Sequence, residues 1–339
     1  MKIVRALALT SLCLSLAAPV GAANINVTKN FSTDPLQGGW QIFGDTNLFQ
    51  WNAAAQNLDV TWDSSQPNSY FYHPLGVTLT KDYDFNLQFD LELNDVTTGN
   101  ESGKTSPMAI GIGFLNFAEA SHAGFGRGIY GSAPNVAEFD YFPPGSYSDG
   151  VNTYPIAPTL TPTFISSDAY VYSPSAYIPY ELEFPTGIVV HVSLVYTGTN
   201  QTLVTTFQTN GVDCLDIPPV VLSNDFASND NFAVDAFCIS SYSSTNDPYD
   251  SVLAHGTVAN ITLTVPQPAI QNLSGAFSNG LWQVQFVSQP IWNYTLQRSP
   301  DFQSWTDVAS SPGGDGTNLV LSDTNSPGPA FYRVRADRL

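Results

Sequence analysis

The chain has 339 residues, with 29 acidic and 10 basic side chains and a formal net charge of −19. A field of that sign repels nucleic acid and anionic polysaccharides and leaves neutral glycans or cations as the fitting partners. No stretch after the N-terminus approaches the roughly 18 apolar residues of a membrane-spanning helix, so no membrane span is expected.

Residues 1–23 read as a cleaved export signal. Lys2 and Arg5 form a basic start, "ALALTSLCLSLAA" an apolar core, and "VGAAN" supplies small residues for cleavage. The expected destination is the cell surface, the periplasm or the medium. From residue 24 to 266 only Lys29, Lys81, Lys104 and Arg127 are basic, against 24 acidic residues. This stretch alternates apolar and polar residues with period two. "FNLQFDLEL" (85–93) sets Phe85, Leu87, Phe89, Leu91 and Leu93 on one face and polar residues on the other. "HVSLVYTGTNQTLVTTF" (191–207) reads as two strands around a polar turn, and "NITLTV" (260–265) as another strand. A single helical turn is expected near "FAEASHAG". Trp40, Trp51 and Trp62 read as core and sheet-edge aromatics. The expected class is all-β, a sandwich or jelly roll.

Between these strands lies "NVAEFDYFPPGSYSDG" (135–150), in which Glu138 and Asp140 are two residues apart in an apolar run. Successive strand side chains alternate faces, so the two carboxylates share one. Such a pair can cleave a glycosidic bond, hold a divalent cation, or serve the fold alone through hydrogen bonds. Residues 141–184 break the strand rhythm with Tyr, Pro and Ser, and read as a long connection. Its tyrosines, Tyr147, Tyr154, Tyr170, Tyr172, Tyr177 and Tyr180, have flat faces with a polar tip, suited either to stacking on sugar rings or to packing on one another. Cys214 and Cys238 are the cysteines left after processing, and an oxidising compartment would allow them to pair as a disulfide. His73, His122, His191 and His255 show no metal-binding spacing, and no Gly-x-Ser-x-Gly elbow is present.

At "VPQPAIQNLSG" (265–275) two prolines and a change of charge mark a boundary. Residues 267–339 carry four Arg and five Asp. "LWQVQFV", "NYTLQRS" and "FYRVRA" are short strands of a small β domain that resembles fibronectin type III.

Four stretches of the large domain, in order, carry a second resemblance: "YDFNLQFDLEL", "AIGIGFL", "GFGRGIYGSAPNVAEFDYF", and "IVVHVSLVYTGTNQTLVTTF" followed by "FAVDAFCISSYS". Together they resemble the concanavalin A-like superfamily, which includes legume-type lectins, laminin G-like modules and family 16 glucanases. The resemblance covers residues 24–266 and implies a jelly roll whose concave sheet and loops bind carbohydrate. As a glucanase, the chain would use Glu138 and Asp140, but the motif's third carboxylate falls on Phe142 or Pro143, neither of which transfers a proton. As a legume-type lectin, it would hold a manganese and calcium pair with Glu138, Asp140, the Phe142 carbonyl and Asp149. Pro144 replaces the expected Asn, the expected His is replaced near Tyr154, and the sugar-binding Asp falls on Ile110.

These readings converge on an exported, non-catalytic, lectin-like protein for neutral glycans. Glu138, Asp140, Tyr147 and Tyr154 are its candidate ligand residues, and calcium is its candidate cofactor. The alternatives are a glycoside hydrolase or lyase acting through Glu138, and a structural surface or matrix protein.

Overall fold

The computed structural model describes residues 24–125, 135–165, 180–221, 232–245, 247–278, 281–290, 292–325 and 330–338. The export-signal reading concerns residues 1–23, outside this set, as do Arg127, Tyr170, Tyr172 and Tyr177. The chain divides into two compact units, one spanning Asn24–Gln267 and one containing Pro268–Leu339.

The larger unit is an all-β jelly-roll sandwich. Among the described residues, one sheet has seven strands in the order Tyr180–Glu181, Thr159–Ile165, Val136–Phe142, Ile110–Leu115, Ala233–Ser241, Ser69–Thr80 and Gln41–Phe43. The other has nine, with Phe85–Thr97 between Val190–Thr197 and Leu253–Pro266 at its centre. The alternation seen in "FNLQFDLEL" decides which face turns inward: Phe85, Leu87, Phe89, Leu91 and Leu93 are all buried, while the residues between them are half-buried. Phe89 meets Phe139 of the opposite sheet edge-on, with ring centroids 5.9 Å apart, and Phe85 meets Phe114 at 5.2 Å. The expected helical turn is present at Phe117–Ala120, capped by the Asn116 side chain, which accepts from the Glu119 amide. Trp40 and Trp62 are core residues, and Trp51 is partly exposed at a sheet edge.

The segment 141–184 departs from the expected long connection. Gly145–Ser148 and Thr153–Ile156 form a hairpin, and Thr159–Ile165 is a full strand of the seven-stranded sheet, paired along its length with Val136–Phe142. Pro162 hides this strand in the sequence, because proline has no N–H to donate to a ladder and is confined to edge strands, strand starts and bulges. Here the far side is paired only at Thr159 and Leu160 among the described residues, so Pro162 fits.

The two cysteines do not pair. Cys238 is buried in the central strand Ala233–Ser241 of the seven-stranded sheet, whereas Cys214 follows the edge strand Val212–Asp213 of the other, and both are free thiols. The oxidising-compartment argument fails here on geometry, since a disulfide needs Cα atoms within about 7 Å.

The smaller unit contains two three-stranded sheets among the described residues. Gln271–Ser278, Leu281–Val287 and Asn318–Asp323 form one, and Thr306–Ser311, Trp292–Ser299 and Phe331–Arg338 the other. Val284, Phe286, Tyr294, Leu296 and Leu321 make its core.

Candidate functional site

Strand Val136–Phe142 sends Ala137, Phe139 and Tyr141 into the sandwich core and turns Glu138 and Asp140 to the opposite face of its sheet. That face is also covered: Glu138 is 1 % exposed and Asp140 0 %. Their strand neighbours explain how two carboxylates fit. Glu138 lies between Gly113 and Thr163, and Asp140 between Gly111 and Thr161. A side chain at Gly111 would meet the Tyr242 ring, Glu138 Oε2 and Asp140 Oδ1, so both carboxylates lean into the space that this glycine leaves.

Each carboxylate accepts a hydrogen bond from a protein hydroxyl, as burial demands. The Tyr242 hydroxyl donates to Glu138 Oε2 at 2.9 Å, and the Thr163 hydroxyl donates to Asp140 Oδ2. Burial pushes the Cys238 thiol well above its usual range, and Glu138 and Asp235 push it further in the same direction. Removing the hydroxyl in Tyr242→Phe should cost about 1 to 3 kcal/mol of stability, the usual penalty for taking a donor from a buried acceptor. Urea denaturation measures this, and an unchanged midpoint would show that other groups fully support Glu138.

This geometry corrects the reading of Glu138 and Asp140 as ligand-facing residues. Neither has surface to offer a sugar or an attacking water.

Asp149 is not gathered to the pair. Phe142 is four residues beyond Glu138, roughly 13 Å along the strand, and the chain then turns into the hairpin Gly145–Ser148 and Thr153–Ile156. At its exposed tip, Asp149 Oδ1 accepts from the Val151 amide at 2.8 Å and the Asn152 amide at 2.7 Å, while Oδ2 accepts from the Tyr154 hydroxyl at 3.3 Å. These hydrogen bonds, the Asn152 amide's first, hold the Asp149 carboxyl below the usual carboxylate range. Calcium needs six to eight oxygens around one point. Glu138, Asp140, Phe142 and Asp149 do not supply them, and no group of three or more His, Cys, Asp or Glu able to hold a metal occurs among the described residues.

The hairpin brings together what the sequence only hinted at. Tyr147 and Tyr154 are directly opposed in its register, so their rings project from the same face. They are 44 % and 48 % exposed. Tyr249, 49 % exposed, joins them from a distant part of the chain, its ring 6.3 Å from that of Tyr147 and at 71° to it. Both segments are fastened to Thr105–Pro107. The Ser146 amide donates to the Thr105 carbonyl at 2.8 Å, the Thr105 hydroxyl donates back to the Ser146 carbonyl at 2.8 Å, and the Ser106 amide donates to the Tyr249 carbonyl at 2.9 Å. Asp247 shapes the second segment by accepting from the Tyr249 and Asp250 amides at 2.8 and 2.9 Å. Tyr249 was not visible as a site residue in the sequence, because "NDPYDS" carries only a turn signal.

A separate cleft of about 320 Å³ opens beside Phe43, Asn68, Ala120, Phe125 and Ser243. Among the described residues that line it, His122 is the one ionisable side chain.

No family model matches the chain, and no curated protein matches it in sequence. Solved structures do. A peanut lectin with a bound 9mer peptide is similar at 15 % identity and a TM-score of 0.43, over 73 % of this chain and 100 % of the lectin. Lectin II from Ulex europaeus is similar at 12 % identity and a TM-score of 0.46, over 72 % of this chain and 99 % of its own. An alginate lyase variant in complex with an alginate tetrasaccharide is similar at 15 % identity and a TM-score of 0.38, over 73 % of this chain and 97 % of its own.

Proposed function

We propose that this is an exported, non-catalytic protein that binds neutral polysaccharide through the exposed tyrosines Tyr147, Tyr154 and Tyr249. The observation that carries the reading is the opposed Tyr147–Tyr154 pair, held open to solvent on a short hairpin with Tyr249 set against it. Scattered exposed apolar residues are ordinary, but a contiguous exposed patch marks an interaction site, and these three rings are neighbours. Flat rings with hydroxyl tips suit the mixed apolar and polar faces of a pyranose. Asp149 Oδ2, exposed between them, adds a hydrogen-bond acceptor for sugar hydroxyls. The charge of the large unit favours an uncharged glycan over a uronic acid polymer.

The burial of Glu138 and Asp140 speaks against hydrolysis or elimination at that pair. Incubating the chain with neutral polysaccharides should release no reducing ends, and release that disappears in Glu138→Gln would overturn the non-catalytic reading. Binding is measured by migration in native gels cast with mixed-linkage β-glucan, xylan or galactomannan. Replacing Tyr147 and Tyr154 together with Ala should weaken retention at least tenfold, equivalent to about 1.4 kcal/mol. The melting temperature should move little, because about half of each side chain is in solvent and neither belongs to the core. Unchanged retention with a large loss of stability would show instead that the two tyrosines serve packing. A chain that no polysaccharide retards would leave the structural surface-protein alternative.

A further inference from the structure

The smaller unit exposes aromatic rings that its fold does not need. Phe302 is 62 % exposed and Phe331 43 %, and neither belongs to the core of Val284, Phe286, Tyr294, Leu296 and Leu321. Their rings stack with centroids 3.6 Å apart, and Trp305 stands edge-on to Phe302 at 6.3 Å. The Trp305 indole N–H donates to the Phe302 carbonyl at 3.1 Å, which fixes the second ring relative to the first.

The backbone holds Phe302 outward at a conformational cost. Its φ is +62°, the left-handed region that a bulky side chain seldom occupies. Strain of this kind persists where the surroundings over-determine it, and it concentrates at sites of function. Here the determinant is Asp301, whose Oδ1 accepts from the Gln303 amide at 2.9 Å and the Ser304 amide at 3.0 Å. The same construction presents the tyrosine hairpin, where Asp149 accepts from the amides two and three residues on.

Polar groups border the rings. The Arg333 guanidinium lies 4.1 Å over the Trp305 ring, and its Nε donates to Gln297 Oε1 at 2.8 Å. Gln297, 4 % exposed, in turn donates to Asp307 Oδ1 at 2.6 Å. A guanidinium has five donors in a fixed plane, so Arg333 keeps others for an oxygen-rich ligand. Arg333 and Arg335 are balanced here by Asp307 and Asp337, within 3.9 Å and 2.8 Å of Arg335. The patch therefore carries no strong field of either sign.

We propose that Phe302, Phe331, Trp305 and Arg333 form a second site for a neutral saccharide ring, separate from the tyrosine site. It takes its ligand class from the function proposed above, and it makes the chain bivalent. The apolar face of a pyranose covers Phe302, while Arg333 donates to ring hydroxyls at the edge. Two weak sites on one chain retain a polysaccharide long enough to span both better than either alone, because the second contact is then intramolecular.

Phe302→Gly is the informative variant, since it deletes the ring and at the same time relieves the left-handed strain. The full chain, this variant, the Tyr147→Ala/Tyr154→Ala variant and the triple variant are run in native gels cast with mixed-linkage β-glucan, xylan or galactomannan. Phe302→Gly should lose at least threefold in retardation in the gel that retains the full chain best, with no fall in melting temperature. The triple variant should lose more than either parent. If Phe302→Gly migrates like the full chain while the tyrosine variant runs free, the second site is overturned and the first stands. A full chain that is not retarded in any gel overturns both.

Discussion

Gly113→Ala should leave little folded protein. Gly113 lies in the central strand Ile110–Leu115, with Val136–Phe142 on one side and Ala233–Ser241 on the other. A methyl group there would run into the Ala137 carbonyl oxygen and the Glu138 Cα and Cβ, closer than real Cβ atoms approach anything. These are backbone and near-backbone atoms of a neighbouring central strand, so neither partner can swing aside as the end of a long side chain would. Overpacking of a core costs typically 1 to 3 kcal/mol, and a clash with fixed backbone lies at or beyond the top of that range, about 3 kcal/mol or more. Domains have only about 5 to 15 kcal/mol to lose. The expected result is a drop in soluble yield and a melting temperature many degrees lower. A chain that melts normally would mean that the two strands separate more easily than their pairing suggests.

The second large effect is a pH dependence centred on Asp250. Burial first, then the Asp247 carboxylate beside it, pushes the Asp250 carboxyl up to about 7, with Lys104 opposing. Lys104 is itself engaged by Glu101 at 3.1 Å and by the Ser244 carbonyl at 2.7 Å. A carboxyl raised in this way binds its proton more tightly in the folded than in the unfolded state. Its contribution to stability is therefore fully present below about pH 4 and is lost as pH rises to about 7. Three further buried or half-buried groups act in neighbouring windows. Burial lowers the His73 imidazole, which makes the fold less stable in acid below about pH 6.5. The lowered carboxyls of Glu101 and Asp323 add stability that is lost only below about pH 4. Comparison with Asp250→Asn removes these common terms. Full conversion of the shift would give about 4 kcal/mol, and partial exposure of the carboxyl cuts this to about 2 kcal/mol. Asp250→Asn should thus be the more stable protein at pH 8, with the advantage gone near pH 4.5. Parallel stability curves for the two proteins would show that Asp250 titrates normally.

Period-two alternation made the sandwich readable, because a strand with one face in a core must place its apolar residues at every second position. "FNLQFDLEL" therefore announced both its conformation and its inward face. The same rule told that Glu138 and Asp140 share a face, but alternation does not say what covers that face. Tyr242 comes from more than a hundred residues away, and the space for both carboxylates is made by Gly111, a residue with no side chain to signal it. Thr159–Ile165 was masked by Pro162, a residue whose tolerance depends on how little is paired beyond it. Tyr147 and Tyr154 were legible as candidates through their closeness to Asp149 in sequence. Their opposition across the hairpin follows from the four-residue turn between Ser148 and Thr153. Tyr249 could not have been found locally, since its place beside them is fixed by the pairing of Asp250–Ser251 with Ser106–Pro107.

That pairing has a kinetic consequence. The hairpin and the Tyr249 segment are about a hundred residues apart in sequence, and the same three residues, Thr105–Pro107, serve both as an abutment. A surface assembled in this way exists only while both segments are seated. Local opening of either one, far short of global unfolding, dismantles it. On the proposed reading, each opening of Asp250–Ser251 withdraws Tyr249 from the surface, and occupancy in turn protects both segments from proteases.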